Sequence, residues 1–79
     1  MKPVHYQPHV LLRQRQREIT AQQIEETIGK PEISLPCVDK KRKRVMKHFL
    51  GKTLDVIYED RPKYFLVVTA AWLVKEKEK

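Results

Sequence analysis

His9, Arg13 and Arg17 recur four residues apart in PHVLLRQRQR, so on a helix they stack along one face. An imidazole can take or give a proton near neutral pH, and a guanidinium's planar fork can grip two phosphate oxygens at once. One acid–base group followed by two anion clamps is a set suited to phosphate chemistry. The spacing has a cost, because like charges four apart repel, and an acidic strand end or a bound phosphate would have to offset it. A second cationic group lies in DKKRKRVMKHF, with six lysines and arginines between Asp39 and Phe49. There Arg42, Arg44, Lys47 and His48 are candidate substrate-binding residues. Arg44, Lys47 and His48 would form an opposite wall if their strand curled against the first helix. Thr69 can position a substrate oxygen, and Tyr58 can stack a base.

Each of these residues also has a purely structural reading. His9 near a helix start can be a surface or capping histidine, and Arg13 and Arg17 can pair with Glu25, Glu59 or Asp60. Thr69 fits an ordinary half-buried strand position, and Tyr58, Tyr64 and Trp72 fit core or sheet aromatics. His5 and His9 have the spacing of helical metal ligands, but Pro8 lies between them and no further ligand follows. The expectation is no metal and no cofactor.

The elements that must position these groups are partly legible. Thr20 followed by Gln23 is a capping box, with Ile19 and Ile24 as a hydrophobic staple. Ile24 and Ile28 share a face, Gly29 supplies a stop and Pro31 forbids continuation, so residues 20–28 are expected to be a helix. Pro8 suits a first helical position, and Val10, Leu11 and Leu12 give the upstream helix its apolar contacts. After Pro36 the pattern changes to strands. RVMKHFLGKTLDVIYED reads as two strands turning at Leu50–Lys52, with Leu54, Val56 and Tyr58 on one face and Asp55, Ile57 and Glu59 on the other. DRPK is the next turn, and KYFLVVTAAWL, apolar on both faces, reads as a central strand. In the basic strand, Arg42, Arg44, Met46 and His48 alternate with Lys43, Val45, Lys47 and Phe49. Such mixed faces suggest an edge strand whose lysines discourage edge-to-edge pairing. The closing KEKEK reads as a solvated charged tail, residues 75–79.

The chain has 79 residues and a net charge of +7, which suits one small domain with an anionic partner. RNA is favoured over DNA, and an acidic protein fits the same charge. The lone Cys37 cannot close an internal disulfide. The opening MKPVHYQPHV has no apolar run of signal-peptide length, and Tyr64–Val74 is short of a bilayer span. The expectation is a soluble, cytoplasmic protein without a membrane partner.

HVLLRQRQREITAQQIEETIGKPE resembles the opening of the prokaryotic family called domain of unknown function 4258. There a His, an Arg four on, another Arg four beyond, then Ile, a helix cap and a second helix ending near a Pro follow one another. Here those slots hold His9, Arg13, Arg17, Ile19, Thr20 and Pro31. GKTLDVIYEDRPKYFLVVTAAW looks like that family's closing hairpin, ending in a Val-Val-Thr element. The likeness runs from about residue 5 to residue 74; Gln14 departs from it where an apolar residue is expected, and the basic run is denser than the pattern requires. The resemblance implies an α+β fold of the RelE/ParE-like (BrnT-like) toxin type, two N-terminal helices on an antiparallel sheet of three to four strands. It also implies kinship to ribonuclease toxins. Under it, His9, Arg13 and Arg17 become the catalytic set of a metal-independent ribonuclease, and an acidic antitoxin-like protein becomes a partner. A non-catalytic binding module using the same basic surface is the alternative.

Overall fold

The computed structural model describes residues 1–74, and the expected tail at 75–79 lies outside the described residues. The element order is β1 (Val4–Tyr6), α1 (Pro8–Gln16), α2 (Ala21–Gly29), β2 (Ile33–Pro36), β3 (Arg42–Phe49), β4 (Lys52–Asp60) and β5 (Phe65–Val74). The fold is α+β, with two helices and a five-stranded mixed sheet in the order β1-β5-β4-β3-β2.

Local chemistry explains the helices. Thr20 accepts the backbone N–H of Gln23 and the Gln23 side chain accepts that of Thr20, completing the capping box. Helix α2 then buries Ile24, Thr27 and Ile28, and the Thr27 hydroxyl satisfies itself on the Gln23 carbonyl. Pro8 opens α1, whose one buried residue is Val10. Leu11 and Leu12 are exposed, so the apolar run there contributes a single core contact.

Helix α1 ends in a Schellman turn, with Ile19 N–H donating to the Gln14 carbonyl and Glu18 N–H to that of Arg15. Glu18 occupies the left-handed position at φ 56° that glycine usually fills. Glu18→Gly is therefore expected to stabilise the fold by about 1 kcal/mol, read as a higher urea midpoint at unchanged slope. A loss of stability would show that the Glu18 side chain contributes more than its backbone costs. The β3–β4 hairpin turns on Leu50 and Gly51, both at positive φ (44° and 86°), as a two-residue turn between right-twisted strands requires.

Three expectations need correction. The basic run is not on an edge strand: β3 lies between β4 and β2, and Lys40 and Lys41 fall in the turn before it. The strand that covers it, β2, pairs antiparallel to β3 from Ile33↔Met46 to Pro36↔Lys43. The sheet is not purely antiparallel, since β1 pairs parallel with β5 from Val4↔Phe65 to Tyr6↔Val67. It also has five strands where three to four were expected. The central strand is β4, with β5 next to it.

One face of the sheet carries the core. Val45, Leu54, Val56, Tyr58, Val67 and Ala70 pack against Val10, Ile19, Ile24 and Ile28, so both helices lie on this side. The opposite face has no helix over it among the described residues and presents Ile33, Leu35 and Leu73 partly to solvent. A bulge organises β5. Ile57 pairs with Thr69 and Tyr58 with Val67, leaving Val68 as the extra residue. Phe65 and Val67 thus share the core face with Ala70 and Trp72, while Leu66 and Thr69 share the uncovered one. That shift of phase is why β5 reads as apolar on both faces.

Tyr6 packs against the core with its hydroxyl buried and unpartnered. Burial, then the Glu25 carboxylate, pushes the phenol up from 10.0 to about 12. The unfolded chain thus releases this proton at lower pH than the fold does, and stability linked to Tyr6 is whole below pH 10 and drains as pH rises towards 12. Tyr6→Phe is expected to flatten this alkaline loss in a series of melting temperatures against pH. An unchanged alkaline limb would mean that Tyr6 is not one of its sources.

No helix is long and apolar enough to cross a membrane among the described residues.

Candidate functional site

Beyond Val67, β5 has lost β1 as a neighbour, and α1 runs along its free edge instead. The junction is made at Gln7, whose N–H donates to the Val67 carbonyl. From there the polar stripe of α1 satisfies carbonyls that a sheet partner would otherwise take. His9 Nε2 lies 3.2 Å from the Val68 carbonyl oxygen, and Arg17 Nη1 donates to the Ala70 carbonyl at 3.1 Å. In return Trp72 Nε1 donates to the Arg17 carbonyl at 3.0 Å. These bonds hold helix and strand in one register.

Between them lies a cleft of about 190 Å³ lined by His9, Val10, Arg13, Arg17, Val68, Thr69 and Ala70. All three residues of the helical stripe and Thr69 therefore converge on one surface. No carboxylate lines it, so its field is that of cations. A carbonyl can only accept, so the contact to Val68 requires the proton on His9 Nε2 and leaves Nδ1 as the lone-pair nitrogen. Arg17 is half-buried and commits one N–H to Ala70. Arg13 is exposed, and neither arginine forms an ion pair among the described residues. The alternative pairing with Glu25, Glu59 or Asp60 is thus absent among those residues. Because α1 follows the strand edge, the like-charge repulsion along its stripe is offset by carbonyl oxygens rather than by acids.

The second cationic group does not reach this cleft. Strand β3 is two strand spacings, about 10 Å, from β5, with β4 between them. Its side chains are also engaged. Arg44 grips Asp55 with two bonds of 2.9 and 2.8 Å, and Asp55 is only 7% exposed. The hydrogen bond to Asp55, then its charge, raises the Arg44 guanidinium further above its ordinary value. Arg42 bonds Glu59 at 3.1 Å, and Arg61 bonds the same carboxylate. The hydrogen bonds from Arg61, then Arg42, hold Glu59 below the usual carboxylate range. Lys47 donates to the Lys30 carbonyl at the end of α2 and lies 3.8 Å from Glu26. His48 Nε2 accepts the Gly51 N–H at 3.3 Å, so it braces the hairpin turn. The expected opposite wall is therefore not assembled.

Tyr58 is 7% exposed and meets Phe65 edge-on at 5.2 Å, so it cannot stack a base. Burial and then the Asp60 charge raise its phenol above the ordinary range. Among the described residues, no group of three or more His, Cys, Asp or Glu side chains is arranged to hold a metal ion.

Sequence reasoning placed the helical stripe and Thr69 but missed their connection. The bulge that turns Thr69 outward is invisible to strict alternation, as are the backbone carbonyls that His9 and Arg17 hold. No family model, curated protein or solved structure matches this chain.

Proposed function

We propose that the protein is a small basic ribonuclease of the RelE/ParE-like toxin type, kin to the family its sequence resembles, cutting RNA without a metal at the α1–β5 cleft. The observation that carries the reading is the convergence of His9, Arg13, Arg17 and Thr69 on one cleft free of carboxylates. The donor set fits the chemistry: a nitrogen base and two guanidiniums are present, and no carboxylate lines the surface.

In this mechanism the scissile phosphate sits against Arg13 and Arg17, whose forks neutralise its non-bridging oxygens. Arg17 keeps N–H donors to spare after its bond to Ala70. His9 Nδ1 takes the proton of the 2′-hydroxyl while Nε2–H stays on the Val68 carbonyl, which holds the ring in place. The 2′-oxygen then bonds to phosphorus as the bond to the 5′-oxygen breaks. The leaving 5′-oxygen takes a proton from water at the mouth of the cleft, and His9 returns its own to solvent. The products are a 2′,3′-cyclic phosphate and a 5′-hydroxyl. Thr69 donates to a ribose or phosphate oxygen.

The tie of His9 and Arg17 to backbone carbonyls also suits a second reading, a binding module in which the stripe only anchors α1 and holds phosphates. An acidic antitoxin-like protein belongs to the proposal as a partner for the +7 charge. The test is a salt series with a short 2′-O-methyl RNA, which cannot be cut. Log affinity should fall linearly with log salt, and Arg13→Ala should remove roughly 0.7 from that slope, one phosphate contact. A slope equal in wild type and Arg13→Ala would remove the phosphate from this cleft under either reading.

A further inference from the structure

We propose that His5 and Tyr64 form a stacking platform for a nucleobase flanking the phosphate held at the α1–β5 cleft. This rests on the RNA reading above and adds a base-binding subsite to it. His5 is the middle residue of β1, an edge strand, and is exposed. Its ring meets the half-buried Tyr64 ring at 4.6 Å between centroids, tilted by 51°. The Arg61 guanidinium lies 5.8 Å from the Tyr64 centroid, held there by bonds of 3.0 and 2.7 Å to Glu59 Oε1. The pair stands outside the hydrophobic core, so folding does not consume it.

Its position relative to the cleft gives it a use. His5 is in register with Leu66, and the bulge at Val68 sets Leu66 and Thr69 on the same uncovered face. Three residues of strand separate them, about 10 Å. With strict alternation through Val68, Thr69 would fall on the opposite face from Leu66 and His5, and the cleft and the aromatic pair would not share a surface. As built, the Thr69 wall of the cleft and the aromatic pair face one side of β5 about one nucleotide apart, with the cations of α1 along the edge of that strand. Single-stranded RNA offers a matching pair of features, a phosphate for arginines and an unstacked base for aromatic and histidine rings. Double-stranded RNA does not, since its bases stay stacked. The platform takes over the part that Tyr58, sealed in the core, cannot perform.

The experiment measures binding of a 2′-O-methyl RNA tetranucleotide, and of the same oligomer with its bases removed one at a time. Wild type, His5→Ala, Tyr64→Leu, Tyr64→Phe and Arg13→Ala are compared after a melting curve confirms each fold. His5→Ala and Tyr64→Leu are expected to weaken binding ~10-fold, and Tyr64→Phe, which keeps the ring, much less. Removing one particular base should weaken wild type equally and abolish the difference between wild type and these two variants. Losses in His5→Ala and Tyr64→Leu that persist on every abasic oligomer, or no loss at all, overturn the platform. If Arg13→Ala weakens binding while those two variants do not, the platform alone fails; if Arg13→Ala also changes nothing, the cleft reading fails with it.

Discussion

Replacing His9 with alanine is expected to lower RNA cleavage by about 10²–10⁴-fold, the usual contribution of a positioned acid–base group, with affinity for uncut RNA nearly unchanged. The division follows from geometry. His9 offers Nδ1 to the reacting hydroxyl, while Arg13 and Arg17 carry the phosphate charge, so removing the imidazole leaves the clamps in place. The complication is structural, since His9 also bonds the Val68 carbonyl and tethers the start of α1 to β5. His9→Gln resolves it, because an amide N–H can keep that bond but cannot serve as a base at neutral pH. Both variants should therefore lose turnover, and only His9→Ala should also lose some stability. Full activity in His9→Gln would make the residue an anchor and move the chemistry elsewhere. Equal losses of binding and cleavage in both would make His9 a binding residue rather than the base, and binding without any cleavage by wild type would favour the non-catalytic module.

Leu54→Ala should cost about 3–4 kcal/mol, the largest stability effect we expect of a single substitution here. Leu54 is fully buried at the centre of the fold, on the middle strand, in register with Trp72. Its side chain lies between the strand that carries the cleft and the helices above, so its loss leaves a cavity that neighbouring strands cannot close. A chain of 79 residues carries roughly 4–12 kcal/mol in total, so this variant should be close to unfolding at physiological temperature. Urea denaturation at constant slope would give the figure. A cost under about 1 kcal/mol would mean that the core is not centred on β4. Because Trp72 also bonds the Arg17 carbonyl, α1 should loosen in the same variant.

The readable parts of the sequence were the local ones. The capping box at Thr20 and Gln23, the staple at Ile19 and the Gly-Lys-Pro ending define α2 within a dozen residues, and nothing distant overrides them. The stripe of His9, Arg13 and Arg17 was legible for the same reason, since helical spacing alone puts the three together. What escaped is non-local. Val4–Tyr6 and Ile33–Pro36 are too short to show a period, and each becomes a strand only because β5 or β3 offers it an edge. Once β2 covers β3, the basic run is interior to the sheet, and its arginines turn to Asp55 and Glu59 rather than to a ligand. The same density of charge that suggested an anion site thus serves mainly to join β3 to β4 and to the end of α2, and to brace a turn. Thr69 lines the cleft with the stripe, but its outward direction depends on a bulge that apolar alternation cannot reveal.

The most direct measurement is end analysis of a single-stranded RNA incubated with the protein in excess chelator, beside His9→Gln and Arg13→Ala. Fragments ending in 2′,3′-cyclic phosphate and beginning in 5′-hydroxyl, formed by wild type and lost in both variants, are the result predicted for a metal-free reaction at the α1–β5 cleft. Intact RNA with wild type, or fragments produced equally by all three proteins, would contradict it.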